Sequence, residues 1–166
     1  MEDGSENLQE LLIEFGLAHR RVTELETLQK QQSQEIELLK RSEARYRQIV
    51  QNANSIIMVM DTKGNVVFFN QFAQRFFGFY EKDILGQNII GTIVAKTDSS
   101  GKDLIQMIQD IISNPEYHSV NENENIRSSG ERVRILWTNK AIVDSVGAIR
   151  EILCIGNEVA KPGQKE

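Results

Sequence analysis

Along residues 5–52 apolar side chains return every three to four positions. With Leu8 at heptad position a, that position is filled in turn by Leu8, Phe15, Val22, Gln29, Ile36, Glu43 and Val50, and position d by Leu11, Ala18, Leu25, Gln32, Leu39 and Tyr46. All but Gln29, Gln32 and Glu43 are apolar, and a stripe sustained this long is the signature of a coiled coil. The stretch lacks proline and is rich in Glu, Gln, Leu, Lys and Arg, which favour helix. Glu26 with Lys30, Glu37 with Arg41 and Glu43 with Arg47 add Glu-first pairs four residues apart. Gly16 weakens the helix by about 1 kcal/mol relative to Ala, too little to break it. Gln29 and Gln32 place a polar layer in the seam, a device that fixes register. At about 1.5 Å per residue the helix reaches about 60 Å, too long to bury its stripe against a small domain. It is therefore expected to pair with a second copy through Leu11, Phe15, Val22, Leu25, Ile36 and Leu39. The alternative is a hairpin folded near Gly16 or Gln29.

Beyond this stretch the pattern changes. Ile56 to Met60 is apolar throughout, as in a central strand. Asp61-Thr62-Lys63-Gly64-Asn65 is a turn sequence, and the short run Val66 to Phe69 predicts a second buried strand. Asn70 ends it, and Phe72, Ala73, Phe76 and Phe77 repeat at helical spacing up to Gly78. One further turn spans Glu81 to Leu85, and Gln87 to Ala95 reads as irregular and apolar. Ser100 with Asp103 suggests a capping box opening a helix with Leu104, Ile108, Ile111 and Ile112 on one face, which Ser113-Asn114-Pro115 stops. Three strands follow. Tyr117 to Arg127 is polar, as an edge strand should be; Arg132 to Val143 alternates with Val133, Ile135, Trp137, Asn139 and Ala141 on one face; Ala148 to Val159 is the last. Lys161-Pro162-Gly163 breaks regular structure, so residues 160–166 are expected to form a disordered tail.

The Asp61-x-x-Gly64 turn, Asn70 with Ala73, the Gly78-Phe79 step and Ile84-Leu85-Gly86 together resemble the first half of a PAS sensor domain. HRRVTELE followed by RSEARYRQIV looks like the signalling helix that runs into such domains. The resemblance implies an α+β fold over residues 43–159: a five-stranded antiparallel sheet with helices on one face enclosing a pocket. Residues 1–42 would be the coiled-coil signalling helix. Ser42 to Asn54 would form a short amphipathic helix on the other face of the sheet, touching it through Tyr46, Ile49 and Val50. The closing GNEV resembles the family's Asp-Ile-Thr region with Glu158 and Ala160 substituted, which puts coupling to a following helix in doubt.

Composition narrows the function. The net charge of −5 argues against a nucleic-acid partner, whose phosphates demand a basic surface. No apolar run approaches the roughly 18 residues of a membrane helix, and nothing marks a secretory signal, so a cytoplasmic module is expected. The one cysteine, Cys154, excludes an intrachain disulfide and a cysteine-paired zinc site; no metal is expected. A buried structural thiol is the favoured reading of it.

PAS domains carry flavin, haem, small acids or nothing, so the cofactor must be argued from residues. In the light-oxygen-voltage branch a reactive cysteine follows Gly-x-Asn; here Gly86-Gln87-Asn88 is followed by Ile89, and Ile135 and Gly156 stand where flavin-reading amides would be. A flavin adduct is thereby argued against. Haem is too, because Asp98 to Ser113 contains no histidine, while His118 and His19 read as surface residues. The candidate pocket residues are Asn70, Asn88, Trp137, Asn139 and Cys154, with Trp137 either a ligand wall or a plug. No nucleophile elbow, zinc-protease motif or phosphate loop occurs, so no enzyme is expected. The expected function is sensing by a signalling protein, probing a small molecule or redox state and relaying it through the paired helix to upstream or downstream signalling domains. A sensor histidine kinase is the leading setting, and a ligand-free scaffold of a transcriptional regulator is the alternative.

Overall fold

The computed structural model describes residues 3–159. Contacts divide the chain into two compact units, with the boundary between Arg47 and Gln48. The expected tail at 160–166 lies outside the described residues.

Helix α1 runs unbroken from Asp3 to Gln51, 49 residues or about 70 Å. The hydroxyls of Thr23, Thr27 and Ser33 donate to carbonyls one turn back, so polar residues inside the helix are satisfied locally. Leu11, Phe15, Val22, Leu25, Ile36 and Leu39 are all more than half exposed. The expected separate helix at 42–54 does not form. Good helix formers cross the whole junction, α1 continues through it, and Ile49 is 58% exposed rather than packed.

The second unit is built on one antiparallel sheet of β1 (Ile56–Asp61), β2 (Val66–Phe69), β3 (Val120–Ile126), β4 (Arg132–Val143) and β5 (Ile149–Glu158), in the order β2-β1-β5-β4-β3. Alternation sends Met58 and Met60, Ile152 and Cys154, and Ile135 and Trp137 to one face. Between β1 and β2 the register shifts, pairing Met58 with Phe69 but Met60 with Val66. That bulge lets both Val66 and Phe69 face the core although an odd spacing separates them. Helices α2 (Gln71–Phe77), α3 (Glu81–Ile84) and α4 (Leu104–Ser113) add Ala73, Phe77, Ile84, Leu104, Met107, Ile108 and Ile111 to the core, and the segment between α3 and α4 adds Ile89, Ile93 and Val94.

The cap of α4 differs from the capping box read from the sequence. Asp103 itself is the N-cap, accepting from Ile105 N at 2.9 Å and Gln106 N at 3.1 Å. Ser100 belongs instead to a separate turn held by Asp98. An aspartate can cap alone, so the upstream serine is released to the loop.

The β1–β2 turn is closed by Asp61, whose Oδ1 accepts from Lys63 N and Asn65 N at 2.8 Å, with Gly64 at φ 82° allowing the left-handed step. Burial pushes the carboxyl up, but bonds from the backbone and side chain of Asn65 and from Lys63 outweigh it and hold it below its ordinary 3.8. A depressed folded value means that the turn's contribution is whole above pH 3.8 and is lost as pH falls through the folded value. Asp61→Asn is expected to flatten the acid limb of the stability-versus-pH curve, measured by urea denaturation at a series of pH values. An unchanged acid limb would count against this role.

Candidate functional site

The cavity of the second unit lies between the inner face of the sheet and α4, with Met58, Met60, Ile89, Ile93, Ile108 and Trp137 among its walls. Its volume is about 20 Å³, room for about one water. Trp137 occupies the space a larger cavity would need.

Trp137 can lie there because of its partner across the β4–β5 pair. Gly156 is opposite it in register, and a Cβ on Gly156 would sit 2.7 and 2.8 Å from two ring carbons of Trp137. Bare backbone is therefore the floor on which the indole rests. The indole Nε1 donates to Asn125 Oδ1 at 3.1 Å, so the one polar atom of the ring is satisfied.

Asn125 is the end of a longer array. Strand β3 carries Asn121, Asn123 and Asn125 at a period of two, all turned inward, while Glu122 and Glu124 face outward toward Arg134 and Arg132. Asn139 donates to Asn121 Oδ1 at 2.6 Å, Asn121 to Asn123 Oδ1 at 3.0 Å, Asn123 to Asn125 Oδ1 at 3.3 Å, and Asn125 to the carbonyl of Ile93 at 3.1 Å. Asn139 also donates to the carbonyl of His118 at 2.9 Å. Four amides thus form one hydrogen-bonded chain along an otherwise apolar wall.

Of the residues singled out from the sequence, the structure brings Trp137, Asn139 and Cys154 together in the cavity wall. Asn70 is elsewhere and does different work. It is fully buried; its Oδ1 accepts from Ile57 N and Ala73 N, and its Nδ2 donates to the carbonyls of Val50 and Ser55. Every hydrogen-bonding site of the side chain is used on protein backbone, which corrects its assignment as a ligand contact: it is a structural clamp. Asn88 likewise sits outside the cavity, donating to the carbonyl of Lys63 and accepting from Ile90 N to hold the loop after α3. Its neighbour Ile89, at the position where a flavin adduct would need a thiol, is buried in the cavity wall. Cys154 is 3% exposed, and burial pushes its thiol up to about 12.

Three residues of the site, Asn121, Asn123 and Asn125, were missed by treating β3 as a uniformly polar edge. The signal was present as Asn at every second position, but polar edge strands ordinarily turn such residues to water. Here β3 is indeed an edge, yet its inner face is covered by α4 and the Ile93 loop. Among the described residues no cluster of His, Cys, Asp or Glu could hold a metal ion, and no helix is long and apolar enough to cross a membrane.

A five-stranded antiparallel sheet in this order, with helices closing a cavity on one face, defines a PAS-type domain. The family described as PAS fold matches residues 44–159, and the chain belongs to that family. Among solved structures it resembles the PAS domain of an HTR-like protein from Haloarcula marismortui, at 17% identity and a TM-score of 0.59 over 76% of this chain and 99% of that one. It also resembles the LOV protein of Rhodobacter sphaeroides (18%, TM-score 0.55, 70% of this chain and 67% of that one). A PAS domain from a two-component sensor histidine kinase is a further likeness (11%, TM-score 0.54, 72% and 98%). No protein of curated function matches this chain.

Gly156→Ala is expected to drive Trp137 off the sheet and destabilise the domain by about 2 kcal/mol, read by urea denaturation and by a shift in the emission of the chain's single tryptophan. Unchanged emission would remove Gly156 from this role. Cys154 is expected to resist thiol reagents at neutral pH in the folded chain and to react freely in urea; rapid labelling without denaturant would contradict its burial.

Proposed function

We propose that this chain is the sensory and dimerisation segment of a cytoplasmic signal-transduction protein, of the sensor-kinase type, that responds to a small molecule in the PAS cavity. The observation that carries the reading is the amide chain from Asn139 to Asn125. Well-packed apolar side chains would hold a core at least as firmly as paired polar groups. Four asparagines around a cavity therefore point to recognition rather than to stability. The likeness to a PAS domain of a two-component sensor histidine kinase favours the kinase setting.

The segment would act without catalysis of its own, since the cavity walls carry neither a general base nor an activated nucleophile. Ile89 leaves no thiol for a flavin adduct, and the region from Asp98 to Ser113 offers no histidine to haem. The net charge of −5 disfavours nucleic acid. Pairing of α1 with a second copy through Leu11, Phe15, Val22, Leu25, Ile36 and Leu39 would cover the exposed stripe and create an element able to switch register. The bond from Asn70 to the carbonyl of Val50 ties the last turn of α1 to the core, so a rearranged core reaches that turn directly. Signalling domains on either side would then read the state of the paired helices.

A second reading, a ligand-free scaffold that binds partners through its sheet, draws on the small volume left beside Trp137, about 20 Å³. Thermal denaturation against a metabolite library separates the two. A ligand present at about 100 times its Kd adds about 2.7 kcal/mol to stability, so the sensor reading expects at least one compound to raise the midpoint, and the scaffold reading expects none. Sedimentation at about 10 µM, an ordinary working concentration for such interfaces, is expected to give a dimer. Leu25→Asp combined with Ile36→Asp should give a monomer with an intact PAS domain; a monomeric wild-type chain would remove the pairing scheme.

A further inference from the structure

The amide chain has a direction, and its ends fix it. At one end the indole N–H of Trp137, which can only donate, points at Asn125 Oδ1, while the carbonyl of Ile93, which can only accept, takes Asn125 Nδ2. At the other end the carbonyl of His118 takes Asn139 Nδ2. Reversing any one amide would set donor against donor or acceptor against acceptor at an end, so the orientation of all four side chains follows from their neighbours.

Both N–H groups of Asn139 are used, and its Oδ1 accepts from none of the described residues. Asn121 and Asn123 each have one acceptor lone pair in hand. Asn125 Oδ1 is full, with one N–H of that amide remaining at the Ile93 end. The four dipoles run head to tail with their N–H ends toward Ile93, so they reinforce one another and leave the negative end at Asn139 Oδ1. Among the described residues no Arg, Lys or His side chain lines the cavity to offset that field.

We propose that the cavity selects uncharged molecules that donate a hydrogen bond to Asn139 Oδ1, such as a primary amide, and rejects carboxylates. The proposal rests on the sensor reading above and specifies the chemistry of its ligand. An anion brought to this wall would lose its water, meet the negative end of a dipole row and find no cation. A neutral acceptor would leave Asn139 Oδ1 without a partner. A neutral donor satisfies that atom and costs no charge desolvation.

Acetamide, acetone and acetate share one planar skeleton of four heavy atoms and differ in the property at issue, and ligands this small suit millimolar titration. Each exceeds the one-water cavity and must displace the same side chains, Trp137 or Met58 and Met60, so the comparison holds that cost constant. Each is titrated into the uniformly nitrogen-15-labelled full chain, following the side-chain amide signals of the asparagines and the indole N–H signal, which is unambiguous because the chain has one tryptophan. Acetamide is expected to shift the Asn139 and Trp137 signals saturably, with acetone and acetate at least about ten-fold weaker, the value of one hydrogen bond. Asn139→Leu should abolish the acetamide response in a chain whose backbone spectrum remains folded. Equal binding of acetone or acetate would overturn the selectivity and leave the sensor cavity standing. Failure of all three to shift either signal would overturn both. The wild-type comparison decides the matter even if Asn139→Leu does not fold.

Discussion

An amide taken out of water must find partners for two donors and one acceptor, and the core of this domain is arranged around meeting that condition. Asn70 meets it completely, with backbone groups of Val50, Ser55, Ile57 and Ala73 converging on one side chain. The result joins the end of α1, the start of β1 and the first turn of α2 at a single buried point. Asn139, Asn121, Asn123 and Asn125 meet it only in part, as a chain in which each donates to the next, with Asn139 Oδ1 and one N–H of Asn125 unpaired among the described residues. The same residue type therefore makes a joint in one place and a hydrogen-bonded row along the cavity wall in the other. What separates the two is whether the backbone supplies all the partners.

The cavity depends on a second close fit. Trp137 lies on Gly156, where any side chain would meet the ring, and from there its indole N–H reaches Asn125. The indole then does three things at once: it fills the core, orients the amide chain through a donor that cannot reverse, and keeps the free volume near that of one water. A ligand larger than this must move Trp137 or the flexible methionines Met58 and Met60. Any such movement is transmitted to Asn125 through the indole hydrogen bond.

Much of the fold was legible along the chain. The bounds of β2 and β4, the helix ending at Gly78, the polar edge strand and the long N-terminal helix all follow from periodicity and from turn residues with defined backbone demands. The polar and apolar faces of β4 also placed Trp137 and Asn139 correctly on the inner side. Other features depend on contacts that neighbouring residues do not reveal. Asp103 displaced Ser100 as the cap because either residue type can serve, and only the loop path decides between them. Residues 42–54 stayed within α1 because helix propensity is uninterrupted there. The roles of Asn70 and Asn88 were misread because an asparagine at a strand end looks the same whether its amide meets a ligand or backbone.

By itself, the order of residues determined the class of fold and the elements that build it, since hydrophobic period and turn chemistry are local properties written into neighbouring positions. It also determined what chemistry is missing, because no fold can supply a thiol at position 89 or a histidine within 98–113. Only the tertiary structure decided which asparagines are joints and which face the cavity, how far Trp137 closes it, and that Asn139 Oδ1 accepts from none of the described residues. Those depend on distances between residues far apart in the chain. A hydrogen bond is made or lost within a few tenths of an ångström, which periodicity cannot resolve.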